Sequence, residues 1–170
     1  MPKKSLFLDR DGVVNVDLDY VSKPSQVVFI EGVFDLCRYA IKKDYLIFII
    51  TNQSGIGRGY YTERDFIFLT KWMKHIFEKE KCPITKVFYC PYHPVYGIGK
   101  YKRDSQFRKP NPGMILRAQK RYDVDLQNSV LIGDKKTDIE AGLSAGIRLN
   151  ILFSQNMDHR KYIKRCIFYQ

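Results

Sequence analysis

Cysteines and long apolar runs are both scarce in this sequence. The four cysteines lie at positions 37, 82, 90 and 166 without a Cys-x-x-Cys pair, a pattern that favours reduced thiols over a disulfide scaffold. The longest apolar run covers residues 45–50, far short of the roughly 20 residues that cross a bilayer. The N-terminus has only three consecutive apolar residues, too few for the core of a signal peptide. We therefore expect a cytoplasmic protein with no membrane partner.

Acidic residues are outnumbered by basic ones. The 170 residues include 29 Lys and Arg but 18 Asp and Glu, which gives a formal net charge of +11. Between positions 100 and 121 there are eight basic residues and one acid, Asp104. Such a balance is compatible with a nucleic acid, with a phosphorylated small molecule, or with an ordinary solvated face. Internal repeats and flexible linkers are also lacking, so we expect one globular domain over residues 1–170.

Short apolar segments alternate with helical patterns along the chain. The β-prone segments cover residues 6–8, 45–50, 87–89, 130–132 and 147–153. A helix is predicted to begin at Thr62, where a hydroxyl cap is followed three residues later by an acid. Others are predicted to begin near Pro112 and to run from Thr137 to about Gly146. This alternation predicts an α/β fold, in which a parallel sheet is flanked by helices and the active site lies at the C-terminal ends of the strands.

Two carboxylates and a glycine follow the first apolar segment. Asp9 and Asp11 are two residues apart in extended chain, so their side chains point to the same side, and Gly12 allows the chain to turn away. This arrangement suits a divalent cation, although a simple surface turn would also explain it. An EF-hand calcium loop that starts at Asp9 is excluded, because its twelfth position requires Glu and holds Tyr20.

A polar run, Thr-Asn-Gln-Ser-Gly at 51–55, follows the second apolar segment. Its hydroxyl and two amides can hold an oxyanion, and a plain turn is the alternative. The glycines at 55, 57 and 59 do not complete a dinucleotide fingerprint, because its third glycine is replaced by Tyr60. The chain also lacks a GxxxxGK[ST] phosphate loop. Dinucleotide and P-loop chemistry are therefore set aside.

Two further clusters precede predicted helices. Pro110 restricts Lys109 to extended geometry, which keeps its ammonium group outside the following helix and near the positive end of that helix. Together with Arg108, this arrangement favours a bound phosphate. Asp134 follows the fourth apolar segment, and Asp138, four residues later, suits a helix cap as well as a metal ligand.

These four clusters, in this order, resemble the signature motifs of the haloacid-dehalogenase (HAD) phosphatases. The motifs read DRDG, TNQSG, RKPNPG and GDKKTD, and the resemblance extends from residue 6 to about residue 153. With their flanking residues and the stretch YCPYHP, they are similar to the heptose 1,7-bisphosphate 7-phosphatases and to the related histidinol-phosphate phosphatases. The resemblance implies a single Rossmann-like HAD domain. No insertion is long enough for a large cap domain, so we expect an open active site.

The resemblance also implies a role for each motif residue. Asp9 is implied to be the nucleophile that becomes an aspartyl-phosphate, and Asp11 the general acid and then the general base. Mg²⁺ is implied to bind Asp9, the backbone carbonyl of Asp11, and Asp134. The residues implied to bind phosphate or substrate are Thr51, Asn52, Gln53, Arg108 and Lys109, with Arg108 reaching a second phosphate or the sugar, and the supporting residues are Lys135 and Asp138.

The structural zinc site that this family often carries is incomplete in this sequence. Related proteins hold the zinc through a Cys-x-His pair and a later Cys-x-Cys pair. Only Cys90 fits here, because Tyr92 replaces the histidine, and Ser105 and Phe107 replace the later cysteines. We therefore expect no zinc, and a loop in which Tyr92, Tyr101 and Phe107 pack in its place.

The function implied by the resemblance is removal of the 7-phosphate of a heptose 1,7-bisphosphate, for lipopolysaccharide or capsule heptose. Histidinol-phosphate phosphatase shares all four motifs and is the alternative. A polynucleotide 3′-phosphatase is suggested only by the charge of +11, and an inactive binding protein is disfavoured because the acidic residues and Lys109 are all present. We expect a small anionic sugar bisphosphate as partner, a monomer, and a last edge strand at 166–169.

Overall fold

A five-stranded parallel sheet forms the centre of the computed structural model, which describes residues 1–160. The strands are β1 (Ser5–Leu8), β2 (Leu46–Asn52), β3 (Lys86–Cys90), β4 (Val130–Gly133) and β5 (Leu149–Leu152), in the order β3-β2-β1-β4-β5. The five apolar segments of the sequence thus form the five strands, and the predicted α/β fold is confirmed. One predicted boundary is wrong: β2 includes Thr51 and Asn52, which we expected in the following loop.

Five α-helices connect or follow these strands in the described residues. They are α1 (Val33–Lys42), α2 (Ser54–Gly57), α3 (Glu63–Lys79), α4 (Gly113–Tyr122) and α5 (Lys136–Ala145). The predicted cap of α3 is confirmed, because the Thr62 hydroxyl accepts a hydrogen bond from the backbone N–H of Asp65 at 3.1 Å. The helices predicted near Pro112 and up to Gly146 are α4 and α5. The prediction did not single out α1 or the short α2.

Helices cover both faces of the sheet. Along β1, Leu6 and Leu8 pack with residues of α1 and α3, whereas Phe7 packs on the other face with residues of α4 and α5. All four residues of β1 are buried. A strand buried on both faces reads as a continuous apolar run, which is why these segments were visible in the sequence.

The register of the sheet brings three strand ends together. Leu8 of β1 is aligned with Ile49 of β2 and with Ile132 of β4. The backbone N–H of Asp9 donates to the carbonyl oxygen of Ile132 at 3.0 Å. The residues at the carboxyl ends of β1, β2 and β4 therefore meet at one edge of the sheet.

The connections between these strands consist of helices and loops in residues 1–160. Within residues 1–160, no inserted segment forms a separate cap over the carboxyl edge of the sheet. In the same residues, no helix has both the length and the apolar character needed to span a membrane. The edge strand expected at 166–169 lies outside the described residues.

Candidate active site

A cavity of about 220 Å³, here called the catalytic cavity, lies at the carboxyl edge of the sheet. The residues that line it come from the end of β2, the loops after β1 and β4, the loop before α4, and the first turns of α2 and α5. They are Asp9, Asp11, Thr51, Asn52, Ser54, Arg108, Lys109, Lys135, Thr137 and Asp138. Of the other two residues predicted for the site, Gln53 lines an adjoining cavity and Asp134 lines a third cavity.

The ammonium group of Lys109 lies at the bottom of the catalytic cavity and is buried. Its Nζ lies 2.7 Å from Asp9 Oδ1, 2.6 Å from Asp138 Oδ1 and 3.0 Å from the carbonyl oxygen of Ile50. Burial raises the pKa of Asp9 well above its usual range, and the charge of Lys109 opposes that effect. Burial acts to lower the pKa of Lys109, but the two carboxylates more than compensate and raise it. Lys109 therefore stays a cation between Asp9 and Asp138.

Asn52 holds Lys109 in this position. The Asn52 side chain donates to the carbonyl oxygen of Lys109 at 3.1 Å and accepts from its backbone N–H at 3.0 Å. These two bonds imitate the pairing of neighbouring strands, and they join the end of β2 to the loop before α4. We predicted Asn52 to bind phosphate; in the structure its amide group is engaged with the backbone of Lys109.

Three carboxylates at this edge of the sheet could hold a metal ion. Asp9, Asp134 and Asp138 each offer an oxygen within 4.8 Å of the others. Asp138 is already engaged, because one oxygen pairs with Lys109 and the other accepts the backbone N–H of Lys135 at 3.0 Å. In contrast, Asp134 Oδ1 is buried without a hydrogen-bond partner among the described residues, and burial raises the pKa of Asp134. Such an oxygen beside Asp9 fits a divalent cation, which would favour the ionised carboxylates.

Gly12 makes room for Asp134. Its backbone has φ of +89°, and a Cβ atom at this position would lie 2.3 Å from Asp134 Oδ2. The turn that we predicted after Asp11 is therefore present, and it also brings the backbone against the carboxylate of the neighbouring strand end.

The carboxylate of Asp11 points to a different set of partners. The buried Arg10 donates to both of its oxygens through Nε and Nη2, at 3.0 to 3.2 Å. Asn15 Nδ2 donates to Oδ1 at 3.0 Å, and Gln53 Nε2 donates to Oδ2 at 3.1 Å. The side chain of Asp11 is thus outside the group of three carboxylates that could hold a metal. It lines the catalytic cavity as a second, separately held carboxyl group.

Sequence reasoning missed several residues that support Asp11. Tyr61 donates a hydrogen bond to Gln53 Oε1, and Gln53 in turn contacts Asp11 and Thr51. We predicted Gln53 to bind phosphate; its side-chain nitrogen is engaged with Asp11 and Thr51 instead. Arg10 could have been found from the sequence, because a charged residue at the end of a buried strand requires a partner.

Lys135 approaches the acidic residues from the rim of the cavity. Its Nζ lies 3.3 Å from Asp17 Oδ2. Burial acts to lower its pKa, but the nearby carboxylates of Asp134, Asp17 and Asp9 raise it above the usual value. The charges of Asp134 and Asp9 thus act on Lys135, while its closest contact is Asp17, and its supporting role stays a prediction.

Arg108 lines the catalytic cavity, and Arg58 is near enough for its charge to act on Arg108. Arg108 Nη1 donates to the carbonyl oxygen of Tyr92 at 3.2 Å, and Arg58 lies 4.4 Å above the ring of Tyr96. Burial lowers the pKa of Arg108, and the charge of Arg58 contributes to the decrease. Burial, Arg108 and Arg58 in the same way lower the pKa of His93. Arg108 and Arg58 therefore add positive charge near the catalytic cavity, and the sequence had indicated only Arg108.

The loop between β3 and α4 is held by aromatic and cationic side chains. The rings of Tyr92 and Tyr101 have centroids 6.1 Å apart, and Arg103 lies 3.9 Å above Tyr92. Phe107 does not join them; it packs toward the core and under Arg117, whose guanidinium lies 4.1 Å from its ring. The donors at this place, a thiol with a serine hydroxyl and phenol groups, do not fit a four-coordinate structural zinc.

Comparisons with known proteins agree with this geometry. A family profile described as HAD-hydrolase-like matches residues 106–161. A Burkholderia mallei protein (strain ATCC 23344) named D-glycero-alpha-D-manno-heptose-1,7-bisphosphate 7-phosphatase is 53% identical over 152 residues, which cover 89% of this chain and 80% of that protein. A Campylobacter jejuni protein (strain ATCC 700819) of the same name is 42% identical over 165 residues, covering 97% of this chain and 91% of that protein.

A solved structure shows the same similarity. It is the crystal structure of D,D-heptose 1,7-bisphosphate phosphatase from B. bronchiseptica, complexed with magnesium and phosphate. The two folds have a TM-score of 0.77 and 31% sequence identity, and the match covers 88% of this chain and 79% of the other. The similarity therefore extends over most of both chains.

Proposed function

Because the chain belongs to the HAD-like phosphatases, in the family of the heptose 1,7-bisphosphate 7-phosphatases, we propose that it removes the 7-phosphate of D-glycero-D-manno-heptose 1,7-bisphosphate in a Mg²⁺-dependent reaction. The observation that carries the proposal is the contact of Lys109 with Asp9, 2.7 Å long, inside the catalytic cavity. A carboxylate held beside a buried cation is an anionic nucleophile that a phosphate dianion can approach.

The proposed reaction has two steps. First, a carboxylate oxygen of Asp9 attacks phosphorus, the bond from phosphorus to the C7 oxygen breaks, and Asp11 gives its proton to the leaving alcohol. Water then attacks the phosphorus of the aspartyl-phosphate and gives a proton to Asp11. Inorganic phosphate leaves, and the carboxylate of Asp9 is restored.

The remaining residues stabilise the charge of the transferring group. Thr51 offers a hydroxyl in the catalytic cavity, and Lys109 acts through its charge, because its three hydrogens already have partners. When bound, Mg²⁺ supplies further positive charge against the phosphate oxygens. Asp9, Asp134 and the backbone carbonyl of Asp11 would hold it, and the unpartnered oxygen of Asp134 supports this assignment.

The second phosphate of the substrate explains the positive charge near the catalytic cavity. Among residues 1–160, neither Arg58 nor Arg108 forms a salt bridge with a carboxylate. Arg108 lines the catalytic cavity and Arg58 is near enough to affect its pKa, so guanidinium groups without acidic partners are available for a phosphate at C1. They disfavour histidinol phosphate, which has one phosphate and carries a positively charged amine at its other end.

Phosphate release from four substrates tests this proposal. The panel is heptose 1,7-bisphosphate, fructose bisphosphate, histidinol phosphate and a 3′-phosphorylated oligonucleotide. We expect the heptose bisphosphate to have the highest kcat/KM, and ³¹P NMR to show that the C7 signal is lost while the C1 signal remains. Comparable turnover across the panel, or loss of the C1 signal first, would contradict the substrate assignment.

The nucleophile is tested by a matched pair of variants. Asp9→Asn should lose more than about 1,000-fold in kcat, because the amide is a poor nucleophile. The same substitution at the exposed Asp104 should leave kcat within about twofold. A variant Asp9→Asn that kept a tenth of the rate would exclude Asp9 as the nucleophile.

The setting of the reaction follows from the substrate. We propose that the product serves heptose synthesis for lipopolysaccharide or capsule. We also propose that the protein works as a monomer, as one domain, in the cytoplasm. The free thiols of Cys37, Cys82 and Cys90 are consistent with a reducing compartment.

A further inference from the structure

Gln53 joins Asp11 to a tyrosine that contacts neither the metal-binding carboxylates nor Lys109. The Gln53 side chain, 2% exposed, follows the end of β2. Its Nε2 lies 3.1 Å from Asp11 Oδ2 and 2.8 Å from the Thr51 hydroxyl, and its Oε1 accepts the hydroxyl of Tyr61. Asp11, Gln53 and Tyr61 line the same cavity, of about 180 Å³, which adjoins the catalytic cavity.

The chemistry of these groups fixes the direction of each bond. A carboxylate accepts hydrogen bonds and cannot donate them, so the nitrogen of the Gln53 amide has to face Asp11. The amide oxygen then faces Tyr61, whose hydroxyl must donate. Burial raises the pKa of Tyr61 to about 12, so this hydroxyl keeps its proton at neutral pH. The hydroxyl of Tyr61 therefore favours the same orientation of the amide as Asp11 does, and it anchors the amide from the other end.

We infer that Tyr61 and Gln53 are positioning residues that hold the Asp11 carboxyl group in the orientation needed to give a proton to the leaving alcohol. The inference rests on the proposed function, which makes Asp11 the general acid. Arg10 and Asn15 also hold Asp11, but the Gln53 amide donates to Oδ2 from the side of the cavity. Without the Tyr61 hydroxyl, the oxygen of the buried Gln53 amide loses its hydrogen-bond donor, and the amide is no longer anchored on the side away from Asp11.

Two leaving groups separate this role from a general loss of structure. An alkyl phosphate such as heptose 1,7-bisphosphate releases a basic alkoxide that needs a proton, whereas 4-nitrophenyl phosphate releases a stable phenolate that does not. The parameter kcat/KM reports only the steps through formation of the phosphorylated enzyme, so the later role of Asp11 as a base does not enter. A misplaced general acid lowers kcat/KM for the first substrate alone.

The test is Tyr61→Phe, which removes one oxygen atom and keeps the ring. We expect kcat/KM to fall about tenfold or more for the heptose bisphosphate and less than about twofold for 4-nitrophenyl phosphate. A tenfold loss is part of the roughly 10²–10⁴-fold that a general acid contributes to the rate. Gln53→Met should show the same selective loss. Tyr60→Phe is the matched control, because Tyr60 is exposed, and it should change neither value.

Asp11→Asn distinguishes a failure of the positioning role of Tyr61 and Gln53 from a failure of the general-acid role of Asp11. It should lower kcat/KM for the alkyl phosphate far more than for the aryl phosphate. If it does so while Tyr61→Phe and Gln53→Met affect both substrates equally, the positioning role is overturned and the general acid stands. If Asp11→Asn itself lowers both values equally, the general acid and the positioning role are both overturned. Melting temperatures close to that of the unchanged protein exclude misfolding as the cause.

Discussion

At the scale of single residues, the ammonium group of Lys109 balances two buried carboxylates. Asp9 and Asp138 approach it at 2.7 and 2.6 Å, and all three side chains are almost fully shielded from water. Charges in such a place are tolerated because each has a partner, and removal of one leaves the others uncompensated. The side chain that balances these two carboxylates is therefore also the one that we propose offsets the charge of the phosphoryl group.

We expect Lys109→Met to destabilise the protein as well as inactivate it. The free energy of unfolding should fall by about 3 to 5 kcal/mol, because two carboxyl groups lose their buried cation. Lys120→Met, on the exposed surface of α4, should change it by less than about 0.5 kcal/mol. Urea unfolding of both variants in EDTA measures this difference. Equal stability of the two variants would show that Lys109 carries no such charge balance.

The sequence predicts the charged residues of the site better than the neutral residues that contact them. Asp9 stands out because it follows an apolar segment, Lys109 because Pro110 fixes it before a helix, and Asp138 because it lies four residues after Asp134. Tyr60 and Tyr61 are adjacent and chemically identical, and only the packing of the folded chain exposes one and partly buries the other. Residue type and spacing therefore cannot predict a role that depends on how the side chain packs in the folded chain.

At the scale of elements, the turn after β1 matters because it touches the end of β4. Gly12 has positive φ and leaves no space for a Cβ atom beside Asp134. Gly99 also has positive φ, of +55°, but nothing lies within 4 Å of its Cβ position. A side chain at Gly99 would therefore add only backbone strain, whereas a side chain at Gly12 would add both strain and a collision with Asp134.

We expect Gly12→Ala to abolish activity, while Gly99→Ala keeps it. Both substitutions introduce a left-handed residue, which costs about 1 to 2 kcal/mol. Only Gly12→Ala also displaces the carboxylate of Asp134, so the affinity for Mg²⁺, measured by calorimetry, should be lost with it. Normal Mg²⁺ affinity in Gly12→Ala would be evidence against Asp134 as a ligand.

The loop between β3 and α4 should keep its structure without zinc. Arg103 and the rings of Tyr92 and Tyr101 pack together in the loop where the family resemblance suggested a zinc site. We expect elemental analysis to give less than about 0.1 zinc ions per chain, since four nitrogen or sulfur ligands are required. Arg103→Ala should lower the melting temperature more than Lys102→Ala. One zinc ion per purified chain would refute this description of the loop.

The strands were predictable from the sequence, whereas their ends were not. Burial on both faces gives β1 and β4 uninterrupted apolar runs. β2 continues into polar residues because Thr51 and Asn52 pair with Tyr89 and Cys90 of the neighbouring β3. That pairing joins distant parts of the chain, so local composition does not predict it.

At the scale of the whole molecule, the segment after β5 is fastened to the loop that follows β1. Gln155 Oε1 accepts the backbone N–H of Asp17 at 3.0 Å. His159 is buried, its ring is stacked on Phe153 with centroids 4.1 Å apart, and its Nε2 lies 2.6 Å from the carbonyl oxygen of Val13. The chain thus returns to the loop that carries Asp9 and Asp11.

The buried His159 should make stability depend on pH. Burial lowers its pKa to about 4 in the folded state, against about 6.5 in the unfolded chain. Below pH 6.5 the unfolded state binds a proton that the folded state does not, so the free energy of unfolding falls as the pH falls from about 6.5 to about 4. The total effect is up to about 3 kcal/mol.

His159→Gln is the comparison that isolates this effect. Glutamine retains an N–H for the carbonyl of Val13 and has no charge to gain. Urea unfolding at pH 7 and pH 4.5 should therefore show a smaller difference for His159→Gln than for the unchanged protein. An identical pH dependence of the two would assign the acid sensitivity to other groups.

The contact between Lys109 and Asp9 joins positions 100 residues apart in the sequence. It requires β1, β2 and the loop before α4 to be in place at the same time, so a partly folded chain has no assembled site. Parallel pairing over such separations is among the slower events in folding. The rate at which phosphatase activity returns after dilution from urea can therefore report the rate of the last folding step. An ordinary phosphate assay measures it.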